Sequence, residues 1–411
     1  MTSTTPMPTS LRTRRLPAVR LGAAGAVLLA LALIPVLGGT GRGDSYLVVY
    51  LYFVFFWVTQ SVSWNIFSGY AGYFSFAQGA FYGAGVYTTV LLVEHLNLSI
   101  LIIMPIGAIV AGVTALLTGL IVFGLRSLSG EIFALFTLSL GLGFGVLANN
   151  VDAIDGGRGR VLGEVDYPRW LGSVNQMLYV LGLILAVTTI VCARVIQYSR
   201  MGYGLAAIRD DEHVGGTLGV PTLRYKLMAF AIGAALAGAS GSLHAVLINF
   251  VTPDAAFGQQ VPFYVIVMSV IGGRRHWLGP VLGATLIYTT NDRLTNLGVV
   301  EVNQLLVGLL LIVVVVALRA GIVAQLFRRA RGTALVAAAT ALVFGVSGLS
   351  SDLITTFTWG MLAGLALLLL PDPVYRLVSG RRALPWGPRT RGGDKDKPAS
   401  SRPRPVSRGV L

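Results

Sequence analysis

The sequence has little charge, almost no cysteine and no stretch that resembles a soluble catalytic domain. Charged residues make up 12% of the 411 residues, whereas hydrophobic residues make up 55%. Soluble globular domains carry about twice that share of charge, so the composition excludes a soluble protein and indicates a polytopic membrane protein. The only cysteine, Cys192, excludes an internal disulfide.

Ionisable side chains are also nearly absent from the long apolar runs. Residues 45–93 contain none, and beyond Lys226 at its inner end the seventh run contains only His244, which we interpret as a hydrogen-bonding residue between helices. Ion-driven carriers usually need charged groups within the membrane, so this absence argues against a proton- or sodium-driven symporter. The sequence also lacks the G-x-x-x-x-G-K-[ST] loop of an ATPase. If the chain moves solute uphill, we expect the energy to come from a partner, and we expect no cofactor.

The apolar runs that are present predict an all-α membrane protein with about ten core helices and two more at the C terminus. Four arginines precede the first run, as in an export signal, but no A-x-A cleavage site follows it. We therefore expect this helix to be retained. The predicted spans lie near residues 18–38, 46–68, 76–93, 99–124, 131–150, 174–196, 226–250, 260–273, 278–291, 302–318, 333–350 and 353–371.

The positive charge is unevenly distributed between alternate loops. With the N terminus placed in the cytoplasm, all but five of the 31 basic residues fall on the inner side. The five in outer loops are Arg42, Arg158, Arg160, Arg169 and Arg293. This asymmetry predicts that both termini are cytoplasmic, and it accounts for the net charge of +14 without a nucleic-acid partner.

One predicted helix pair is interrupted by small and polar residues. The stretch 64–87 places Asn65, Ser75 and Gln78 among several glycines within an uncharged apolar region. Hydrocarbon offers no partner to unpaired backbone groups, so such a break is tolerated only against protein or a water-filled cavity. Gly69 or Gly72 can end one helix before the next begins. Close helix packing by small residues is one interpretation, and a broken helix beside a translocation path is the one we favour for the whole cluster.

The inner loop 197–225 contains a short helix signal. Asp210 or Asp211 can cap a helix of about two turns, with Glu212 in its first turn and Gly219 at its C-terminal end. A solvated connector is the alternative. A capped helix between two spans is also what docking to a cytoplasmic partner requires.

An ordered set of motifs resembles the permease subunits of branched-chain amino acid ABC importers of the LivM type. The set includes Gly69-Tyr70-Ala71-Gly72 and Leu218-Gly219-Val220, and it is collinear over residues 45–320. The matching segments are residues 65–75, 83–87, 130–138, 149–150, 156–159, 207–212, 218–220, 224–230, 235–241, 252–254 and 272–284. Two departures from the family pattern are Gln78 in place of a histidine and Arg274-Arg275-His276 in place of a smaller loop.

The resemblance implies a non-enzymatic transport subunit in a bacterial inner membrane. It implies four kinds of partner: a second, related permease, two cytoplasmic ATPases, an extracytoplasmic solute-binding protein and membrane lipid. The ATPase-coupling loop would contain Arg209, Asp210, Asp211, Glu212, Leu218 and Gly219. The domains would be a cytoplasmic segment 1–17, a permease domain 18–320, an additional helix pair 333–371 and a disordered basic cytoplasmic tail 381–411.

Branched-chain amino acids are the substrates that we expect first. Urea, short amides or other small solutes are the alternatives. Two alternatives to an ABC importer subunit belong to other classes of protein. One is an ion-driven carrier or channel, and the other is a membrane scaffold without transport activity. The residues predicted to line the path are Asn65, Gly69, Tyr70, Gly72, Ser75, Gln78 and Thr137.

Overall fold

The computed structural model describes residues 46–124, 130–152 and 156–296, and these residues form a bundle of helices. The helices are α1 (Tyr46–Trp64), α2 (Gln78–Leu96), α3 (Ile100–Gly124), α4 (Gly130–Asn150), α5 (Val174–Gln197), α6 (Arg200–Asp210), α7 (Glu212–Thr217), α8 (Thr222–Ile248), α9 (Pro253–Phe257), α10 (Gln260–Gly272) and α11 (Leu278–Asn296). A π-helix (Asn65–Gly69) follows α1, a 3₁₀ turn (Arg169–Leu171) precedes α5, and two short strands are β1 (Arg160–Val161) and β2 (Phe250–Val251). The predicted segments 1–17, 18–38, 302–318, 333–350, 353–371 and 381–411 lie outside the described residues.

Six helical segments of this region are long and apolar enough to cross a membrane. They are Tyr46–Gly69, Ile100–Gly124, Gly130–Asn150, Val174–Gln197, Thr222–Ile248 and Pro253–Gly272. The 19-residue helices α2 and α11 coincide with two further predicted spans, although they are less apolar. The chain is therefore a polytopic all-α membrane protein.

The structure brings together loops that the charge distribution assigns to the same side of the membrane. At one end, β1 and β2 pair antiparallel, with Arg160 opposite Val251. At the other end, the Gln197 side chain donates to the Arg275 carbonyl at 3.3 Å and accepts from the Trp277 N–H at 3.0 Å. We call this second end, which holds α6, α7 and residues 273–277, the basic end.

Helices α2, α3 and α8 pack closely against one another at glycines. A Cβ on Gly85 would overlap the carbonyl group of Gly238, and a Cβ on Gly238 would lie 2.8 Å from the Gly107 carbonyl oxygen. The Ser242 hydroxyl donates to the Gly85 carbonyl at 3.1 Å. Because lipid removes the hydrophobic drive between membrane helices, such close contacts and interhelical hydrogen bonds hold the bundle together.

The outward face of α4 consists of exposed apolar side chains. Ile132 and Leu135 are 52% and 65% exposed, and Val146 is 62% exposed. In a membrane protein this surface needs lipid or another apolar helix against it. It therefore offers an apolar surface to a neighbour.

We predict that Gly85→Ala destabilises the bundle, because the added methyl group has no space between α2 and α8. Overpacking of this kind costs about 1–3 kcal/mol. Thermal unfolding of the purified chain in detergent measures the loss. Gly143→Ala is the matched control, since a Cβ there meets nothing within 4 Å and α4 gains a better helix former. Equal melting temperatures for the two variants would contradict the packing argument.

Candidate functional site

The helix pair α1 and α2 is interrupted close to the basic end, as the sequence predicts. We call this pair, with its connecting residues 65–77, the broken span. After the π-helix the chain is extended, and α2 begins only at Gln78. Gly72 makes the turn with a φ of +85°, and a Cβ there would lie 2.6 Å from Cγ of Arg209. Both the backbone conformation and the space at this position therefore require glycine.

The extended segment is held by hydrogen bonds to its backbone. The Trp64 indole N–H donates to the Ser75 carbonyl at 2.7 Å, and the Phe76 N–H donates to the Thr137 hydroxyl at 3.0 Å. The Ser75 hydroxyl accepts from the Ala77 N–H at 3.3 Å. Two of the predicted polar residues, Ser75 and Thr137, thus lie together and stabilise the non-helical backbone.

Gln78 lies at the centre of a buried amide network. Its Nε2 donates to Oε1 of Gln60 at 2.7 Å and to the Ser63 hydroxyl at 2.9 Å. The Gln60 Nε2 in turn donates to the Ser240 hydroxyl at 2.8 Å, which connects α1, α2 and α8. The Gln78 amide is therefore engaged in helix-to-helix hydrogen bonds in this conformation.

A very small cavity lies beside this network. Ser68, Ser75 and Gln78 line it, and the space inside is about 10 Å³, which is enough for one water molecule. The Ser68 hydroxyl is buried and has no hydrogen-bond partner in the described part of the chain. The space between these residues is thus too small for anything larger than a water molecule.

The other predicted path residues lie nearer the basic end. Asn65 is fully buried within the π-helix, and Gly69 contacts both Asn65 and the Arg274 carbonyl. The Tyr70 hydroxyl donates to the Ala193 carbonyl at 3.2 Å. All seven predicted residues therefore belong to the broken span or to its direct contacts.

A second span, Pro253–Gly272, is interrupted near the first break. The sequence predicts its start at residue 260, but the helix begins at Pro253, ends at Phe257 and resumes at Gln260. A Cβ on Gly79 would lie 3.0 Å from the Gly258 carbonyl oxygen, so the two breaks are in contact. Sequence reasoning missed this feature because α9 alone is too short to register as part of a span.

Gln259 is the polar side chain at this second break. Both its amide nitrogen and its amide oxygen are buried without a hydrogen-bond partner among the described residues. A Cβ on Gly141 would lie 3.0 Å from the Gln259 Nε2, so the amide faces the middle of α4. The only sequence signal was a Gly-Gln-Gln triplet interrupting an apolar run.

Two helix starts meet at these breaks without side-chain caps. The residues before α2 and α10 are Ala77 and Gln259, and neither accepts a capping hydrogen bond. The first N–H groups of a helix carry partial positive charge and are oriented to bind an anionic or carbonyl oxygen. Together with the Gln259 amide, this arrangement can hydrogen-bond a polar solute inside the membrane.

The helix signal in the loop 197–225 is confirmed. Asp211 caps α7 by accepting from the N–H groups of His213 at 2.9 Å and Val214 at 3.0 Å. Gly219 has a φ of +84°, as a C-terminal glycine requires. The preceding α6 is an 11-residue helix, which Ser199 caps and whose apolar side packs into the bundle.

Glu212 connects α7 to the broken span. Lys226 of α8 donates to its Oε1 at 2.5 Å, and the Tyr73 hydroxyl also donates to its carboxylate. The Lys226 ammonium lies 4.9 Å from the ring centre of Phe123 and 5.4 Å from that of Tyr73. We call Tyr73, Glu212 and Lys226 the carboxylate link.

The charge state of Glu212 follows from these contacts. Partial burial raises its pKa, but the hydrogen bonds from Lys226 and Tyr73, together with the Lys226 charge, outweigh that and lower the pKa below its ordinary value. Glu212 is therefore ionised at neutral pH, and the attraction to Lys226 is maintained. Only 8% of the Lys226 side chain is exposed, which limits screening by water and salt.

Comparison with known proteins gives relatives of one kind. The chain is 26% identical to the high-affinity branched-chain amino acid transport system permease protein LivM of Salmonella typhimurium, over 61% of this chain and 64% of that protein. The LivM protein of Escherichia coli gives the same figures. A probable branched-chain amino acid transport permease protein LivH of Methanocaldococcus jannaschii is 23% identical, over 54% of this chain and 71% of that protein.

The match spans less than two thirds of the length of the LivM relatives. No solved structure matches the chain. A family model described as "Branched-chain amino acid transport system / permease component" matches residues 46–315, which include all the helices α1 to α11. Because that match covers more than half of the sequence, this chain belongs to the branched-chain amino acid transport system permease component family, which is a family of transport subunits and not of enzymes.

Proposed function

We propose that this chain is the permease subunit of an ATP-driven ABC importer and forms the translocation path for branched-chain or related amino acids. The observation that carries the proposal is the carboxylate link, which joins a capped helix outside the bundle to a broken span inside it. A helix in that position can receive force from a cytoplasmic ATPase. The near absence of charge within the spans supports an external energy source.

The assembly would follow from this role. Two cytoplasmic ATPases, a second homologous permease and an extracytoplasmic solute-binding protein would join the chain in a bacterial inner membrane. The exposed apolar face of α4 suits contact with the second permease or with lipid. The basic end would face the cytoplasm with both termini, as its arginines favour. In this proposal the chain has ten core helices, two additional C-terminal helices at 333–371 and a basic tail at 381–411.

The solute path would run past the two breaks. Their polar groups would replace part of the hydration of an amino acid as it crosses, while nearby aromatic and small residues contact its apolar side chain. A closed, weakly binding path suits an importer, because the binding protein supplies the affinity. The proposed path residues are Asn65, Gly69, Tyr70, Gly72, Ser75, Gln78 and Thr137 from the sequence, with Gln259 added from the structure.

Coupling would use the two-state behaviour of the broken span. ATPase closure would move the loop that contains α7 and its flanking residues, which are Arg209, Asp210, Asp211, Glu212, Leu218 and Gly219. Because the carboxylate link is partly buried, displacement of Glu212 would pull on Tyr73 and hence on the extended segment before α2. A change in the relative stability of two arrangements is sufficient to open the path.

Transport by the reconstituted complex is the direct test. We expect leucine uptake into proteoliposomes to require ATP, both ATPases and the binding protein, and to fall to background when any of them is omitted. Preferential uptake of urea or a short amide would replace the substrate assignment. Uptake driven by an ion gradient without ATPases would identify a carrier, and complete assembly without solute flux would identify a scaffold.

For the path, we predict that Gln259→Ala raises the KM for leucine uptake about tenfold, because the substitution removes a buried amide that can bind substrate. Uptake measured as a function of delivered substrate gives KM and kcat separately. The neighbouring Gln260→Ala is the matched control, since Gln260 is exposed. Equal KM values for the two variants would remove Gln259 from the path.

For the coupling, we predict that Tyr73→Phe lowers the ratio of leucine transported to ATP hydrolysed about tenfold. The substitution removes one hydrogen bond to an ionised carboxylate but keeps the ring beside Lys226. Tyr203→Phe on α6 is the control, because that side chain is 66% exposed. An unchanged ratio in Tyr73→Phe, with normal assembly, would show that force does not pass through the carboxylate link.

A further inference from the structure

A cavity of about 500 Å³ opens at the basic end, beside the carboxylate link. Three of the residues that line it are the arginines Arg209, Arg274 and Arg275. Arg274 and Arg275 are adjacent in the loop that follows α10. The proposed transport mechanism makes no use of Arg274 and Arg275, and it uses Arg209 only as part of the coupling loop.

The guanidinium groups in this cavity are incompletely paired. Nε of Arg209 and Nη1 of Arg274 are buried and have no hydrogen-bond acceptor in the described ranges. Within the described ranges, the ion pair of Arg209 is with Asp210 at 3.6 Å, and the Asp210 side chain is 76% exposed. Buried, charged donors without acceptors are costly, so their presence points to an anion that belongs between them.

The other carboxylates that line the cavity are already engaged. Asp211 accepts two backbone N–H groups as the cap of α7, and Glu212 is bound by Lys226 and Tyr73. Neither Arg274 nor Arg275 forms an ion pair with a described residue. The formal charges of the three arginines and the three carboxylates in the lining balance, but none of these carboxylates accepts a hydrogen bond from the buried Nε of Arg209 or Nη1 of Arg274.

The electrostatic environment of Arg274 agrees with this geometry. Burial lowers its pKa, and the nearby charges of Arg275 and Arg209 lower it further. Its guanidinium carbon lies 4.8 Å from the ring centre of Phe74, which fixes the side chain over the broken span. A bound anion would relieve the repulsion among the three arginines.

The cavity lies at the depth of lipid headgroups. Its lining includes Gly72, just after the span Tyr46–Gly69, Gly130 at the first position of α4, and Arg274, just after α10 ends at Gly272. Three membrane segments thus end around it. From Gly130 the exposed apolar face of α4 continues toward the membrane interior, as a lipid chain attached to a bound headgroup requires.

From these observations we propose that the cavity formed by Arg209, Arg274 and Arg275 binds the phosphate group of an anionic phospholipid. Basic pockets between membrane helices at the cytoplasmic surface recognise such headgroups. Guanidinium groups bind phosphate oxygens through charge-assisted hydrogen bonds, with up to two from one arginine. The lipid would contact the Gly72 turn and α6 together, so its presence would stabilise the broken span against α6. This inference depends neither on the transported solute nor on ATP.

Native mass spectrometry of the purified full-length chain tests the proposal. We expect phosphatidylglycerol to bind about tenfold more tightly than phosphatidylcholine with the same acyl chains. Arg275→Gln and Arg274→Gln should each reduce that preference about fivefold or more. Arg224→Gln is the matched control, because Arg224 is an exposed arginine at the same end that does not line the cavity. Arg275 is itself exposed, so its variant tests the site even if Arg274→Gln fails to fold.

Four outcomes would overturn the proposal. Equal binding of the two lipids would show that the cavity does not recognise anionic headgroups. Unchanged lipid preference in both cavity variants would place the lipid elsewhere. Inorganic phosphate that binds as tightly as phosphatidylglycerol would make the cavity a site for free phosphate. If the two cavity variants keep the lipid preference of the wild-type chain but fail to assemble with the ATPases, an acidic side chain of a partner occupies the cavity.

Discussion

The structure depends on one constraint, which is that backbone groups inside a membrane must find hydrogen-bond partners within the protein. Two spans of this chain are broken, and each break removes helical hydrogen bonds. At the first break the lost partners are replaced by Trp64 and Thr137, and a glutamine network joins the surrounding helices. The breaks are tolerated because neighbouring helices supply these hydrogen-bonding groups.

The same constraint explains why glycine and small polar residues are concentrated at α2 and α8. Gly85 and Gly238 allow the helix backbones to come within reach of the Ser242 hydroxyl, whose bond to the Gly85 carbonyl would otherwise be impossible. Close packing at these positions gives a rigid frame. The broken segment before α2 lies against that frame and is attached to the loop helices through Tyr73. A rigid frame beside an attached, irregular segment is a suitable arrangement for a transport subunit that changes between two states.

Charge is excluded from the middle of the described bundle and concentrated where the helices end. At the basic end, Glu212 is surrounded by cationic and aromatic groups, while three arginines face a cavity on the other side of Tyr73. The charges around Glu212 and the three arginines therefore both act on the turn that contains Gly72 and Tyr73. If a lipid phosphate and an ATPase both contact this turn, the membrane composition and the energy source are coupled at one place.

The sequence by itself determined the membrane class, the positions of most spans within the described residues, and the capped helix α7. These follow from local patterns: apolar run length, charge between runs, and the Asp–Gly signals that start and end a helix. It also located the first break, since Asn65, Ser75 and Gln78 are polar within an apolar run. The second break at Gly258, the unpaired Gln259 amide and the carboxylate link were decided by tertiary structure. Lys226 and Tyr73 are far apart along the chain, and only the packing of α8 against the broken span brings both to Glu212. Contacts between residues distant in sequence leave no local pattern, so the fold alone reveals them.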